Sequence, residues 1–322
     1  MATRKKITKK SAAKKRAAKK ATAKKATAKK SAAKKSAAKR AATKKVTKKA
    51  TAKKATAKKA TAKKATPVRR PAPPPSRFVW LDLMSTNPMG AMAFYAEVLG
   101  HAVRDIDMGS FTYHQLAASG KDIGGIVPFD AEHGWPSHWV PYIEVADVDA
   151  LCEQAKALGG SVSVPPFDIP GVGRTAVVND PAGAIFSPIA FVGDGMPASE
   201  GEPEPGQVSW MELSTTDLDG AAAFYAQLLG WTTTDMDMGA MGPYKVFRAG
   251  ELSVGGAMTK PEGSPGRSAW LTYFVSPDVD GAVAKAKERG ATLLAEPFDV
   301  PDIGRMALLI DPWGAAFAVH RV

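Results

Sequence analysis

Two short strand-like segments carry the residues most able to do chemistry in this sequence. Trp80-Leu-Asp82 and Trp210-Met-Glu212 each place an acid two residues after a tryptophan. Because side chains alternate across a strand, the acid and the tryptophan of each pair should point to the same face. A carboxyl group beside aromatic rings can hold a polar molecule or transfer a proton. The chemistry expected here is therefore acid-base chemistry or ligand binding inside a cleft.

Further polar and aromatic residues recur at equivalent places in the two halves of the sequence. Tyr142 and Tyr273 should share the acid's face on the fifth strand of each half, and an arginine opens each seventh strand. Two histidines occur in only one half each. The full set of cleft or ligand-binding candidates is Trp80, Asp82, Tyr113, His114, His138, Tyr142, Arg174, Trp210, Glu212, Tyr244, Trp270, Tyr273, Arg305 and His320.

Each candidate also has a structural interpretation. Asp82 and Glu212 could instead be bonded to backbone or to an arginine, since a buried acid needs a partner in any fold. Arg174 could pair with Asp168 in its own segment, and tryptophans line clefts more often than they catalyse. His101, at the end of a predicted helix, is interpreted as a solvated residue. The sequence alone leaves these alternatives open.

Both sets of candidates lie in an internal repeat. A shift of about 130 residues aligns Gly90-Ala-Met-Ala-Phe-Tyr-Ala96 with Gly220-Ala-Ala-Ala-Phe-Tyr-Ala226. The same shift later aligns Asp180-Pro-Ala-Gly-Ala184 with Asp311-Pro-Trp-Gly-Ala315. The acids, tyrosines and arginines above therefore occupy equivalent positions of two homologous modules.

The repeat divides the chain into four segments. These are a basic tail, 1–77, a first module, 78–192, a linker rich in Gly, Pro and Glu, 193–206, and a second module, 207–322. Within each module the hydrophobic pattern predicts a strand, a helix and three strands, and then the same order again. Two such βαβββ units in each module predict an α+β fold class in which a curled mixed sheet surrounds a cleft.

The repeated motifs resemble those of one superfamily. Phe-Tyr-Ala-Glu-Val-Leu-Gly at 94–100 has the counterpart Phe-Tyr-Ala-Gln-Leu-Leu-Gly at 224–230, and a Gly-Arg strand and an Asp-Pro-x-Gly turn follow in both modules. In this combination residues 78–322 are similar to the vicinal oxygen chelate superfamily, which includes glyoxalase I, bleomycin-resistance proteins and extradiol dioxygenases.

The resemblance implies a divalent metal ion held by His, Gln or Glu on the first, fourth, fifth and eighth strands. The residues of this sequence at those positions are unsuited to such an ion; they are Trp80, Gly124 or Gly125, Val140 and Ser187 in module 1, and Trp210, Gly255 or Gly256, Leu271 and Ala318 in module 2. The sequence therefore predicts no metal and no cofactor. The alternative is a metal-dependent lyase or dioxygenase with an atypical centre, made of Asp82 or Glu212 with His138 or His320.

The charge is divided unevenly along the chain. Residues 1–77 contain 31 of the 44 Lys and Arg and none of the 31 Asp and Glu, so the remainder is acidic. The tail repeats pentads such as Ala-Thr-Ala-Lys-Lys with few large apolar residues, and we expect it to be disordered when free. It resembles the tails of linker histones and bacterial histone-like proteins. Its charge predicts non-specific binding of nucleic acid.

The composition excludes several other classes. A single cysteine excludes a disulfide framework and a thiolate zinc cluster, and fits a reducing compartment. No apolar run reaches the roughly 20 residues that span a bilayer, so we expect no membrane partner. Together with the basic tail, this predicts a cytoplasmic, nucleoid-associated protein. The sequence leaves an oligomer open. It predicts a glyoxalase-like protein that binds or converts a small polar molecule and is tethered to nucleic acid; the other alternative is a histone-like DNA-compacting protein with a structural body.

Overall fold

The computed structural model describes residues 75–130, 132, 134–193, 195–196, 201–239, 242–264 and 266–321. The tail predicted at 1–77, with its expected disorder, lies outside the described residues except for its last three. Within the described ranges, no helix has the length and hydropathy that a membrane crossing requires.

Module 1 is an eight-stranded mixed sheet with two helices. Its hydrogen-bonded strand order is β2-β3-β4-β1-β5-β8-β7-β6, so the two βαβββ units join where β1 pairs antiparallel with β5. In chain order the elements are β1 (Phe78–Ser85), α1 (Pro88–Leu99), β2 (Ala102–Asp107), β3 (Thr112–Ala118), β4 (Lys121–Pro128), β5 (His138–Glu144), α2 (Val148–Ala157), β6 (Ser161–Ile169), β7 (Gly173–Asn179) and β8 (Ile185–Phe191).

Module 2 repeats this topology. Its strand order is β10-β11-β12-β9-β13-β16-β15-β14. The elements are β9 (Val208–Thr215), α3 (Leu218–Leu229), β10 (Thr232–Asp237), β11 (Pro243–Ala249), β12 (Leu252–Thr259), β13 (Ala269–Val275), α4 (Val279–Glu288), β14 (Thr292–Val300), β15 (Gly304–Ile310) and β16 (Ala316–Arg321). The predicted α+β class and the tandem βαβββ modules are confirmed.

Local signals fix the ends of the helices. The side chains of Asn87, Asp147, Asp217 and Asp278 each accept a hydrogen bond from the backbone amide three residues later, which caps the start of a helix. At the end of α1, Gly100 adopts the left-handed conformation with φ of 72° that stops a helix.

The two modules share their hydrophobic cores. One cluster joins Phe94 and Tyr95 of α1 to Phe317 of module 2. A second cluster joins α2 of module 1 to Phe224 and Tyr225 of α3. Each cluster thus combines the first half of one module with the second half of the other. The sheets form within a module, whereas their helix-covered faces are buried against the other module.

His101 lies inside this shared core, so its interpretation as a solvated helix-end residue is wrong. Its side chain is 3% exposed, and its Nε2 lies 2.8 Å from the carbonyl oxygen of Gly206. The ring stacks on Tyr95 with centroids 6.2 Å apart. Burial lowers the pKa of His101 to about 4.

This lowered pKa gives a prediction about acid stability. The unfolded chain should bind a proton at His101 near pH 6.5, whereas the folded chain should do so only near pH 4. Stability should therefore fall as the pH drops from 6.5 to 4, by about 3 kcal/mol from this group. Urea unfolding of the wild type and of His101→Gln across this range should give free energies that converge or cross. Above pH 7.5 the difference in the free energy of unfolding between the two proteins should be constant. If the two free energies stay parallel between pH 6.5 and 4, the pKa of His101 is not lowered.

Candidate ligand-binding clefts

Several predicted site residues of module 1 meet on the sheet face opposite the helices. The Tyr113 hydroxyl donates to Asp82 Oδ1 at 2.7 Å. The indole N–H of Trp80 lies 2.8 Å from the Tyr113 hydroxyl and 3.2 Å from Asp82 Oδ1. Tyr142, on the neighbouring strand β5, also hydrogen-bonds the Asp82 carboxyl. We call Trp80, Asp82, Tyr113 and Tyr142 the module 1 cluster.

A glycine allows this cluster to form. Strand β4 lies between β3 and β1, so Tyr113 must reach across it to touch Asp82. Gly125 of β4 is the residue beneath the tyrosine ring, since a Cβ there would lie 2.1 Å from Tyr113 Cζ. The adjacent Gly124 allows close approach of the Leu81 carbonyl oxygen. Sequence reasoning considered these glycines only as metal-ligand positions; the repeated Gly-Gly pair was the available signal for their packing role.

Module 2 contains the same arrangement with a longer acid. The Tyr273 hydroxyl donates to Glu212 Oε1 at 2.9 Å, and the Trp210 indole N–H donates to the Tyr244 hydroxyl at 2.8 Å. Tyr244 also hydrogen-bonds Glu212. Gly256 admits the Tyr244 ring as Gly125 admits Tyr113. The repeat thus preserves an acid held by two tyrosines beside a tryptophan.

Burial controls the acid-base properties of both clusters. Asp82 is 6% exposed and Glu212 is 9% exposed. Loss of hydration raises the pKa of both carboxyl groups, and the hydrogen bonds from the tyrosines only partly oppose this. Burial and the nearby carboxyl also raise the pKa of Tyr113, so its hydroxyl stays a donor. Each cluster is a buried carboxyl group of raised pKa that accepts hydrogen bonds from neutral donors.

The two clefts differ in their remaining walls. In module 1, Ser187 pairs with Tyr142 across the sheet. In module 2, Ala318 holds that position, and with Met306 and Tyr273 it forms a separate buried apolar cluster. Module 1 has Thr175 at the position of Met306. At these two positions the module 1 cleft is therefore the more polar of the two.

Trp270 lies outside the module 2 cleft, so the prediction that it is a cleft residue is wrong. Its indole N–H donates to the Tyr225 hydroxyl at 3.0 Å, inside the core shared between modules. The Tyr225 hydroxyl in turn lies 3.3 Å from Asp180 Oδ2 of module 1. Trp139 occupies the equivalent place in module 1 and donates to Tyr95 at 3.2 Å.

His114 likewise lies on the helix-covered face, because it is adjacent to Tyr113 on a strand. Its Nδ1 is 2.7 Å from Asp105 Oδ1 on the neighbouring strand β2. At the equivalent position of module 2, Lys245 pairs with Asp235 at 2.9 Å. The prediction that His114 faces the cleft is wrong.

Arg174 and Arg305 also point away from the clefts. Arg174 contacts Asp168 at 2.9 Å, which confirms the structural interpretation, and also both carboxylate oxygens of Asp149 in the first turn of α2. Arg305 does the same with Asp299 and Asp280. These arginines fasten a helix to strand β7 or β15, and are not ligand-binding groups of the clefts.

His320 and His138, which have no histidine counterpart in the other module, have different surroundings. His320 is buried with both ring nitrogens engaged, Nδ1 with the Ser209 hydroxyl at 3.2 Å and Nε2 with the Ile303 carbonyl at 3.1 Å. His138 lies at the start of β5, half-buried, with Nδ1 2.9 Å from the Pro136 carbonyl. Burial lowers the pKa of His138. The lowered pKa favours the neutral form of His138, which lies at the edge of the module 1 cleft. His320 instead connects β16 to Ser209 and Ile303 within module 2.

The geometry of both modules has a counterpart in one protein family. Residues 77–187 and 207–319 each match the Glyoxalase/Bleomycin resistance protein/Dioxygenase superfamily. The chain belongs to this superfamily. The two matched ranges correspond to the two modules of the fold.

Relatives within the superfamily share both modules. The chain is 36% identical over 250 residues to "Putative glyoxylase CFP32" of Mycobacterium bovis, which covers 75% of this chain and 93% of that protein. It is 32% identical over 260 residues to the anthracycline biosynthesis protein DnrV of Streptomyces peucetius, covering 76% and 93%.

Solved structures of the superfamily share the fold. A Mn(II)-bound glyoxalase from Novosphingobium aromaticivorans has a TM-score of 0.54 at 16% identity, covering 77% of this chain and 83% of that one. The 2,3-dioxygenase LapB from Pseudomonas sp. KL28 has a TM-score of 0.54 at 15% identity, covering 78% and 94%. At these identities the likeness extends to the fold alone.

Proposed function

We propose that the module 1 cleft binds a small, oxygen-bearing aromatic molecule, and that Asp82 exchanges a proton or a hydrogen bond with it. The observation that carries this proposal is the module 1 cluster, in which a buried carboxyl of raised pKa accepts hydrogen bonds from Tyr113 and Trp80. The rings of Trp80, Tyr113 and Tyr142 are each half-buried and supply flat apolar surface. A relative named for anthracycline biosynthesis supports a ligand with hydroxylated aromatic rings.

The donor set favours proton chemistry over metal chemistry. Three N–H or O–H groups point at the Asp82 carboxyl, and no second acid or imidazole accompanies it in the module 1 cluster. Across the part of the chain that the structure describes, His, Cys, Asp and Glu side chains form no group of three able to hold a metal ion. Catalytic metal sites of this kind use three or more such ligands. These residues do not fit the metal of other superfamily members, and we propose no step through one.

Quinizarin, a dihydroxylated anthraquinone, is a suitable probe for this proposal. Measured by fluorescence titration, quinizarin should bind the wild type saturably. Its affinity should be at least about ten-fold lower in Asp82→Asn. The amide would present N–H groups to donors that now face a carboxyl oxygen. If the ionised carboxylate holds the ligand, affinity should also decline as the pH falls through the raised pKa of Asp82.

Glu212→Gln is the matched control, since it makes the same change in the other cleft. We expect little effect from it, because Met306 and Ala318 replace Thr175 and Ser187 and make these walls of the module 2 cleft apolar. Three results would contradict the proposal: no quinizarin binding by the wild type, equal affinity in Asp82→Asn with its fold intact, or near-stoichiometric Mn, Fe, Ni or Zn in the purified protein.

We further propose that residues 1–77 tether the chain to nucleic acid without sequence preference. The support is charge alone: 31 basic and no acidic residues precede an acidic body. Lysine-rich segments bind nucleic acid by releasing counterions from phosphates. The segment also has no Asn or Gln, the side chains that read adenine. In this proposal the tail determines where the protein is, and the module 1 cleft determines what it binds.

A further inference from the structure

A groove between the modules breaks the symmetry of the repeat. Its volume is about 370 Å³, within the range of small-molecule sites. It lies where the Asp-Pro-Ala-Gly turn of module 1 meets the start of α3 in module 2. Its lining includes Leu158, Asp180, Ala182, Asp217, Phe224 and Gln227.

The equivalent place on the other side is filled by an indole ring of the protein. Trp313, in the Asp-Pro-Trp-Gly turn of module 2, packs edge-to-face on Phe94 of α1, with centroids 6.3 Å apart. Its ring lies directly over Gly90, where a Cβ would be 2.3 Å from Trp313 Cζ2. Module 1 has Ala182 at the position of Trp313. The groove is therefore the space that an indole occupies in the other half of the molecule.

The walls of the groove match an aromatic ring. Phe224 stands at the position of Phe94 and lines the groove, as do the apolar Ala182 and Leu158. Leu158 occupies the position of Arg289, which on the filled side forms an ion pair with Glu97. Ala182 and Leu158 thus replace the indole and the arginine of the filled side, and Gln227 replaces Glu97.

The charge of the groove selects against anions. Asp180 and Asp217 both line it, and no Lys or Arg is among the described residues of its lining. The amide of Gly220, near the start of α3, already donates to Asp217 Oδ1 at 2.9 Å, so it is not free to hold an acid group. An amine at the edge of the groove would meet the exposed carboxylate of Asp217, whereas Asp180 is 3% exposed and already accepts from Tyr225 and Ala184.

We propose that this groove binds a planar bicyclic aromatic amine of the indole type. The flat ring would lie on Phe224 over Ala182, as Trp313 lies on Phe94 over Gly90. The amine would face Asp217 at the rim. This site is separate from the clefts, which lie on the opposite faces of the sheets.

Tryptamine and indole-3-acetate, tested on the full chain by saturation-transfer NMR and calorimetry, are a matched pair of probes. We expect tryptamine to bind with one site per chain, and the acid to bind about ten-fold more weakly or not at all. Ala182→Trp, which copies module 2, should abolish tryptamine binding and leave quinizarin binding unchanged. Trp313→Ala should open the equivalent space over Gly90, but Asn87 and Arg289 there replace Asp217 and Leu158, so the stoichiometry for tryptamine should stay at one.

Leu158→Arg, a change at the edge of the groove, provides a second test if Ala182→Trp does not fold. It should weaken tryptamine binding by placing a cation beside the amine. The proposal is overturned if the wild type does not bind tryptamine, if the acid binds as tightly as the amine, or if folded Ala182→Trp or Leu158→Arg binds tryptamine as the wild type does. Loss of quinizarin binding alone would affect only the proposal for the module 1 cleft.

Discussion

A chain that begins at Pro71 should bind duplex DNA at least about a thousand-fold more weakly at low salt than the full-length protein. The deletion removes 30 of the 31 basic residues of the tail and leaves an acidic body, which DNA repels. It retains Ser76 and Arg77, which contact module 2 and β5: the Ser76 carbonyl accepts the Trp231 indole N–H at 2.7 Å, and Arg77 pairs with Glu144. The body should therefore stay folded. Fluorescence anisotropy with a labelled duplex measures the difference.

Salt dependence and sequence order test the mechanism of this binding. For the full chain, raising the salt from 50 to 200 mM should lower the affinity by about a thousand-fold or more, if six or more phosphates are neutralised. A tail of equal length with its lysines changed to glutamine should behave like the deletion. A tail with its pentads scrambled should bind like the wild type. Retained affinity in the chain from Pro71, or loss of affinity on scrambling alone, would contradict the proposed tether.

The sequence predicts most of the secondary structure, because the patterns that specify it are local. Strand alternation, the Asp and Asn caps and the glycine stops occur twice at matching places. The tandem repeat therefore gave two independent observations of each element. The module 1 cluster follows from the same logic, since Trp80 and Asp82 are two residues apart on one strand and must share a face.

Two errors among the site candidates come from not applying this alternation throughout. Trp270 and Tyr273 are three residues apart on β13, so they cannot both face the cleft. Tyr113 and His114 are adjacent on β3 and also point to opposite faces. In both modules the tyrosine contacts the buried acid, Asp82 or Glu212, whereas His114 and Trp270 face the helices. Strand alternation therefore places Trp270 and His114 on the helix-covered faces of their sheets.

The contacts between modules could not be predicted from these patterns. Tyr95 and Asp311 belong to motifs that identify the superfamily, yet they are 216 residues apart in the chain and meet only because module 1 packs on module 2. The burial of His101 and the partner Asp149 of Arg174 arise from packing between elements that are distant in the sequence. Local sequence patterns do not specify contacts between residues so far apart in the chain. The repeat also does not show that the first half of each module packs against the second half of the other.

Asp311→Ala should strongly destabilise this interface. Asp311 Oδ2 accepts the Tyr95 hydroxyl at 3.0 Å, and Oδ1 accepts the amides of Trp313 and Ala315 at 2.9 Å each. The side chain is 3% exposed, so the three donors would lose their acceptor away from solvent. At about 1 to 3 kcal/mol for an unsatisfied buried group, we expect a loss of about 3 to 5 kcal/mol. Urea unfolding should show a lower midpoint.

Asp311→Asn separates the roles of the two oxygens. The amide oxygen can still accept the two backbone amides, and its N–H can donate to Tyr95, so we expect a loss of only about 1 kcal/mol. Removing the exposed Glu262 by mutation to alanine should change stability by less than about 0.5 kcal/mol. A double-mutant cycle of Asp311→Asn with Tyr95→Phe should give a coupling energy of about 0.5 kcal/mol or more, because the two side chains touch. If Asp311→Ala costs less than about 1 kcal/mol, or if the cycle shows no coupling, the Asp-Pro-x-Gly turn does not fasten the modules together. In the expected case the cost is that of leaving Tyr95 and the turn without an acceptor, and the two modules unfold as one unit.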